Sequence, residues 1–228
     1  MKKAAIFVEG QTEQIFVERL LIEMAGQQNI AFHLEQWNAK QFIALKSDPV
    51  SDQQWFVIII DCRGDGAVVS AIRSRYQSLI GAGYDLVLGL RDLYPMSHNE
   101  LPLLQAGIAS VLPVGNPPAT IVVAVAEVES WFVQENTHYA RIDANLTQNA
   151  IFAATGFDIN AGLAESLAQP SATLDQAYGL VGMRYTKKKS HVGRTVGALD
   201  FEHLYLDRRQ MLNSFNEFAN QIEIFLTN

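Results

Sequence analysis

Three carboxylates stand at the ends of apolar runs: Glu9 after AAIFV (4–8), Asp61 after WFVIII (55–60) and Asp92 after LVLGLR (86–91). Acids so placed suit a hard divalent cation such as Mg²⁺, which takes one or two carboxylates and completes its shell with water and substrate phosphates. Paired ions of this kind clamp the attacking and leaving oxygens of a phosphoryl transfer. A fourth acidic stretch, AVAEVESWF (124–132), adds Glu127 and Glu129. Strand alternation turns both to one side, whereas a helix beginning at Val128 separates them. Glu129 is the preferred ligand and Glu127 the second choice. Glu13, one helical turn beyond Glu9, points toward the same place.

The elements that position these acids are readable from periodicity. Buried apolar runs at 4–8, 55–61 and 84–92, and another beginning at ATIVV (119–123), alternate with helical patterns at 12–21, 67–80 and 99–112. That order predicts an α/β fold: a mainly parallel sheet flanked by helices. Parallel strands bring their carboxyl ends to one edge, so Glu9, Asp61 and Asp92 should converge there. Gly10 supplies a permissive turn and Thr12 an N-cap, before Ile15, Phe16, Arg19 and Leu20 on one helical face. IAFHLEQW (30–37) reads as a further strand, and SDPVSDQQ (47–54) as a loop.

From Thr137 onward the strand signal fades into short helices broken by Gly, Pro and Asp. The last of them carries Met211, Leu212, Phe215, Phe218, Ile222 and Phe225 at helical spacing, a core-facing stripe. The expected division is an α/β core over 1–136 and a C-terminal helical appendage over 137–228, packed on the core. Neither internal repeats nor low-complexity tracts interrupt the chain.

Two further segments carry chemistry. DCRGDG (61–66) opens a helix, and backbone N–H groups at such a corner can cradle a substrate phosphate, here at Gly64 and Gly66. It lacks the length and the Lys-Ser/Thr of a nucleotide-binding P-loop. Asp65 reads as the N-cap of the helix that follows. RYTKKKSHVGRTVGAL (184–199) gathers Lys187, Lys188, Lys189, His191 and Arg194. Lys188 reads as a solvated surface residue. The other cations would offset charge building on a transferred phosphoryl group, and the His191 imidazole is a candidate acid or base.

Composition bounds the rest. A net charge of −7 excludes a general nucleic-acid coat protein. Residues 1–135 hold nine Lys/Arg against fifteen Asp/Glu, while the remainder holds eight against nine. That split suits an acidic half that collects cations beside a near-neutral one, and equally an ordinary acidic cytosolic protein. No apolar run nears the roughly 20 residues of a membrane helix. The N-terminal run is too short and too acidic for a signal peptide. A single cysteine, Cys62, forms no intrachain disulfide framework and suits a reducing cytoplasm. No histidine identifiable as its partner accompanies it as a nucleophile, and the remaining histidines lack zinc spacing.

VEGQTE (8–13) resembles the E-G-x-T-E opening of a reduced TOPRIM-like bacterial family often encoded beside ATPases of the OLD (overcoming lysogenization defect) type. LVLGLRDLYP (86–95) resembles that family's later acidic motif, with Asp92 in the first aspartate position and Tyr94 in the second. Glu127 and Glu129 resemble its E-F-E-A segment, and residues 187–194 its basic C-terminal stretch. The resemblance implies a TOPRIM-like, Rossmannoid core holding Mg²⁺ or Mn²⁺ through Glu9, Asp92, Glu129 and Glu13. It implies phosphate contacts from Lys187, Lys189, His191 and Arg194, and a proton relay at Glu9. The activity it implies is phosphotransfer by a nuclease on nucleic acid, in phage defence, beside an OLD-type ATPase. Tyr94 in place of an aspartate favours an alternative, a non-catalytic partner of that ATPase. The acidic charge suits a third, a phosphatase or nucleotidyl transferase on small molecules.

Overall fold

The computed structural model describes residues 1–64 and 66–227, which form two compact units. The first comprises 1–92, 99–123 and the chain from Glu217 onward, and the second 93–98 and 124–216. This differs from a division at 136/137: residues 124–136 belong to the second unit, and most of the last helix to the first. The expected N-cap at Asp65 lies outside the described residues.

The first unit is built on a six-stranded sheet of order β3-β2-β4-β1-β5-β6. Its strands are β1 (Lys2–Val8), β2 (Ile30–Asn38), β3 (Gln41–Ser47), β4 (Trp55–Asp61), β5 (Leu86–Asp92) and β6 (Ala119–Ala124). β1 runs parallel to β4 and β5, and β2 parallel to β4, while β3 alone is shown antiparallel, to β2. Val8 pairs with Asp61 on one side and Leu90 on the other, so three acid-terminated strands end at one edge. Ala4 to Val8 are fully buried, as a strand covered on both faces requires. The sheet is thus an α/β, mostly parallel, Rossmann-like one. β3 carries a short apolar run, FIAL (42–45), but its side chains are almost all exposed. Pattern reading passed over it because its partner strand, not a core, holds it in place.

Three helices connect the strands: α1 (Gln11–Ala25), α2 (Ala67–Gly81) and α3 (Leu101–Val111). α1 buries Phe16, Val17, Leu20 and Leu21, with Arg19 turned to solvent. Its N-cap is Gly10 rather than Thr12. Gly10 is extended (φ −158°), open to any residue, and its N–H donates to Glu13 Oε2 at 2.9 Å. The closure of that turn by a glutamate three residues on is half of a capping box. Buried Gln14 ties the helix to the sheet, donating to the carbonyls of Glu35 (3.0 Å) and Ile59 (2.9 Å).

The second unit contains α4 (Glu129–Gln134), α5 (His138–Ile142), α6 (Gln148–Thr155), α7 (Pro170–Gly179), α8 (Lys189–Ala198) and a single turn, α9 (Phe201–His203). α10 (Asn213–Thr227) starts here and buries Phe215, Phe218, Ile222 and Phe225, as its stripe predicts. No helix among the described residues is long and apolar enough to cross a membrane.

Gly89, midway along β5, lies where α2 and β6 close on the strand. A Cβ there would stand 2.6 Å from Ile121 Cγ1 and 3.2 Å from both Ile72 Cδ1 and Val68 Cγ1. Gly89→Ala is therefore expected to destabilise by about 1–3 kcal/mol through overpacking. Urea unfolding will show this as a lower midpoint at an unchanged slope.

Candidate metal centre

β1 and β5 deliver Glu9 and Asp92 side by side. The Glu9 N–H donates to Leu90 O (3.1 Å), continuing the ladder one residue past the strand. Its carboxylate then accepts the Asp92 backbone N–H on Oε2 at 2.9 Å. Glu9 thereby fixes the peptide from which the Asp92 side chain projects. Asp61, at the same edge, is engaged locally: Oδ1 accepts the Arg63 N–H (2.9 Å) and Oδ2 the Gln36 amide (3.1 Å). Glu13 closes the α1 cap described above.

Beyond Asp92 the chain continues in register, Leu93 N–H donating to Ala124 O (2.9 Å) and Tyr94 N–H to Ala126 O (2.8 Å). Ala126 takes a left-handed turn (φ +61°), and α4 begins at Glu129. Strand geometry therefore does not persist to Glu127. A helix start there nevertheless brings the acids together instead of separating them. One carboxylate oxygen from each of Asp92, Glu127 and Glu129 lies within 4.8 Å of the others, and all three residues are buried. This triad could hold a metal ion. Among the described residues, Glu9 and Glu13 are not part of it.

Each glutamate of the triad has a dedicated partner on one oxygen. Glu127 Oε2 accepts the Ser171 N–H (2.9 Å) at the start of α7, and Glu129 Oε1 accepts the Tyr185 hydroxyl (2.9 Å). Lys187 Nζ stands 2.9 Å from Glu127 Oε1 and 3.2 Å from Glu129 Oε2. Glu129 is wholly buried, and burial holds its carboxyl above the usual glutamate range. Lys187 and Tyr185 oppose that shift and Glu127 reinforces it.

The segment carrying Tyr185 and Lys187 is itself pinned. Asp175 accepts Arg184 on both oxygens (2.8 Å each) and the Tyr185 N–H (2.8 Å), and Arg184 holds the Asp175 carboxyl below its ordinary value. Lys187 then adopts a left-handed backbone (φ +54°). α4 is anchored from its far side, Trp131 Nε1 donating to Ser214 Oγ at 3.0 Å and Ser214 in turn donating to Glu165.

The other sequence candidates occupy different positions. Lys189 is exposed in the first turn of α8. His191 Nδ1 faces the Thr186 N–H (3.2 Å), and Arg194 donates to Arg184 O (2.6 Å) while lying over the Tyr178 ring. The Gly64 N–H donates to Glu9 O (2.8 Å), and a Cβ built at Gly64 or Gly66 meets nothing within 4 Å. Gly64 takes a positive φ (+142°) in the turn before α2. Buried Cys62 has its thiol pushed well above the usual range by burial, reinforced by Asp61 and Glu9.

No family model matches the chain, and no curated protein does either. A solved structure of a hypothetical protein from Pyrococcus horikoshii OT3 is similar, at 14% identity over 99% of this chain and 98% of that one, with a TM-score of 0.45.

Pattern reading missed Tyr185, Ser171 and Asp175, since a lone tyrosine, a backbone N–H and a surface aspartate carry no motif. It also missed the turn after α4. There Glu135, wholly buried, accepts N–H groups of Thr137 (2.9 Å), His138 (3.0 Å) and Asp200 (3.2 Å). Burial raises its carboxyl, but bonds from His138 and Thr137 outweigh that and hold it below the ordinary value. An acid so lowered stabilises the fold above its unfolded pKa, and that stability is lost as pH falls through the folded value. Stability should therefore decline on acidification below the usual glutamate range. Glu135→Gln should flatten that decline, as urea midpoints measured at successive pH values will show.

Proposed function

We propose that this protein is a Mg²⁺- or Mn²⁺-dependent phosphotransfer enzyme, a nuclease acting on phosphodiesters, with Asp92, Glu127 and Glu129 as the protein ligands. The observation that carries this reading is the burial of three carboxylates around one point. Gathering like charges out of water is strongly unfavourable unless cations compensate them. All-oxygen donors select a hard cation over zinc or copper. Such a cation supplies Lewis acidity at a phosphoryl oxygen.

This chain's own residues would do the rest. Tyr185 and Ser171 each hold one oxygen of a glutamate, leaving the other for a cation. Glu9 orients Asp92 through its backbone N–H, and the TOPRIM-like resemblance adds a proton relay at Glu9. Lys189, exposed beside Lys187 and Lys188, offers positive charge to a phosphodiester. The TOPRIM-like resemblance supports nucleic acid as substrate, an OLD-type ATPase as partner and a cytoplasmic role in phage defence. A second reading, a non-catalytic partner of such an ATPase, draws on Tyr94 and on the ammonium already resting against Glu127 and Glu129.

Metal-dependent stabilisation and cleavage separate the two. At a hundredfold excess over its dissociation constant, Mn²⁺ should add about 2.7 kcal/mol. For a chain of this size that is a rise in Tm of roughly 5–10 °C. Nicking of DNA or RNA should require the metal, and Asp92→Asn or Glu129→Gln should lower it on the order of 100-fold. Absence of both effects, with co-purification of an ATPase, would establish the non-catalytic reading.

A further inference from the structure

The two glutamates of the triad leave one oxygen each outside their hydrogen bonds to the protein's neutral donors. Glu127 uses Oε2 for Ser171, and Glu129 uses Oε1 for Tyr185. What remains is Glu127 Oε1 and Glu129 Oε2, and Lys187 Nζ stands against both, at 2.9 and 3.2 Å. Glu129 Oε2 is completely buried, and the Lys187 ammonium stands within ion-pair distance of it. A small divalent cation would need those same oxygens at about 2.0–2.2 Å. An ammonium at its present distance from both would overlap the ion's coordination shell.

Lys187 is also built to leave. Its side chain is 41% exposed, on a long flexible stem, while both glutamates are buried. Its backbone is held in the left-handed region that non-glycine residues rarely adopt. The preceding residues are tied independently, by Asp175 to Arg184 and Tyr185. Withdrawal of the ammonium therefore leaves the Tyr185 bond to Glu129 in place.

We propose that Lys187 is a tethered cation that occupies the glutamate pair in the metal-free protein and is expelled from it when a divalent cation binds. The inference rests on the metal-site reading above and adds a built-in competitor to it. By linkage, the ammonium lowers metal affinity by the factor by which the metal weakens the lysine's hold. The device keeps the buried acids neutralised when no metal is present.

The test is Mn²⁺ binding by calorimetry to the full chain and to Lys187→Met, with the reactivity of the Lys187 amine as an independent readout. The variant should bind Mn²⁺ at least tenfold more tightly. In the unaltered protein, reductive methylation of Lys187, followed by mass spectrometry, should rise several-fold on saturation with Mn²⁺. That labelling decides the matter if the variant does not fold. Mn²⁺ binding to the unaltered protein, with no gain in the variant or with unchanged or reduced labelling, would overturn the inference alone. No Mn²⁺ binding to either protein would overturn it together with the metal-site reading.

Discussion

Glu129 is a carboxylate with no exposure to water, in a cluster with two other buried acids. An isolated ionised carboxylate in that position would be driven to protonate. Much of the surrounding second unit reads as a response to that constraint. The Tyr185 hydroxyl and the Lys187 ammonium come from one turn, and the Ser171 N–H from the start of α7. Asp175 holds the turn that carries two of them, and Trp131 and Ser214 hold the helix that begins at Glu129. A cluster supported in this way is expensive to build for fold stability alone, because well-packed apolar side chains would serve as well or better.

The first unit meets a simpler requirement, which is to present an acid at the end of a buried strand. β1 lies between β4 and β5, so its carboxyl end is flanked on both sides by strands that also end in acids. Position alone does not make them equivalent. Asp61 is engaged by Arg63 and Gln36 in shaping its own turn, and Glu9 is engaged by the Asp92 peptide. Asp92 is the member of the three whose carboxylate joins Glu127 and Glu129.

The parallel sheet was legible because runs such as AAIFV and WFVIIID leave no polar face, and only a strand covered on both sides suits them. The carboxyl-edge placement of Glu9, Asp61 and Asp92 followed from that. The acidic pair at 127 and 129 was legible as a candidate, but not the route by which it converges. A left-handed Ala126 and a helix start did what strand alternation was expected to do. Gly10 displaced Thr12 as the α1 cap because Glu13 could reach back to its N–H, a choice between neighbouring donors that spacing does not decide. Lys187 was legible only as one of several cations. Its selection over Lys189 and Arg194 depends on the turn that Asp175 fixes, a tertiary contact without a sequence signature. β3 escaped notice for a related reason, being an edge strand defined by its partner.

The central claim is that the buried acids are a cation site, and a crystal of the full chain grown with Mn²⁺ tests it most directly. The account predicts an anomalous peak within about 2.0–2.3 Å of oxygens from Asp92, Glu127 and Glu129. Saturating Mn²⁺ with no peak there, and Lys187 still seated against both glutamates, would contradict it.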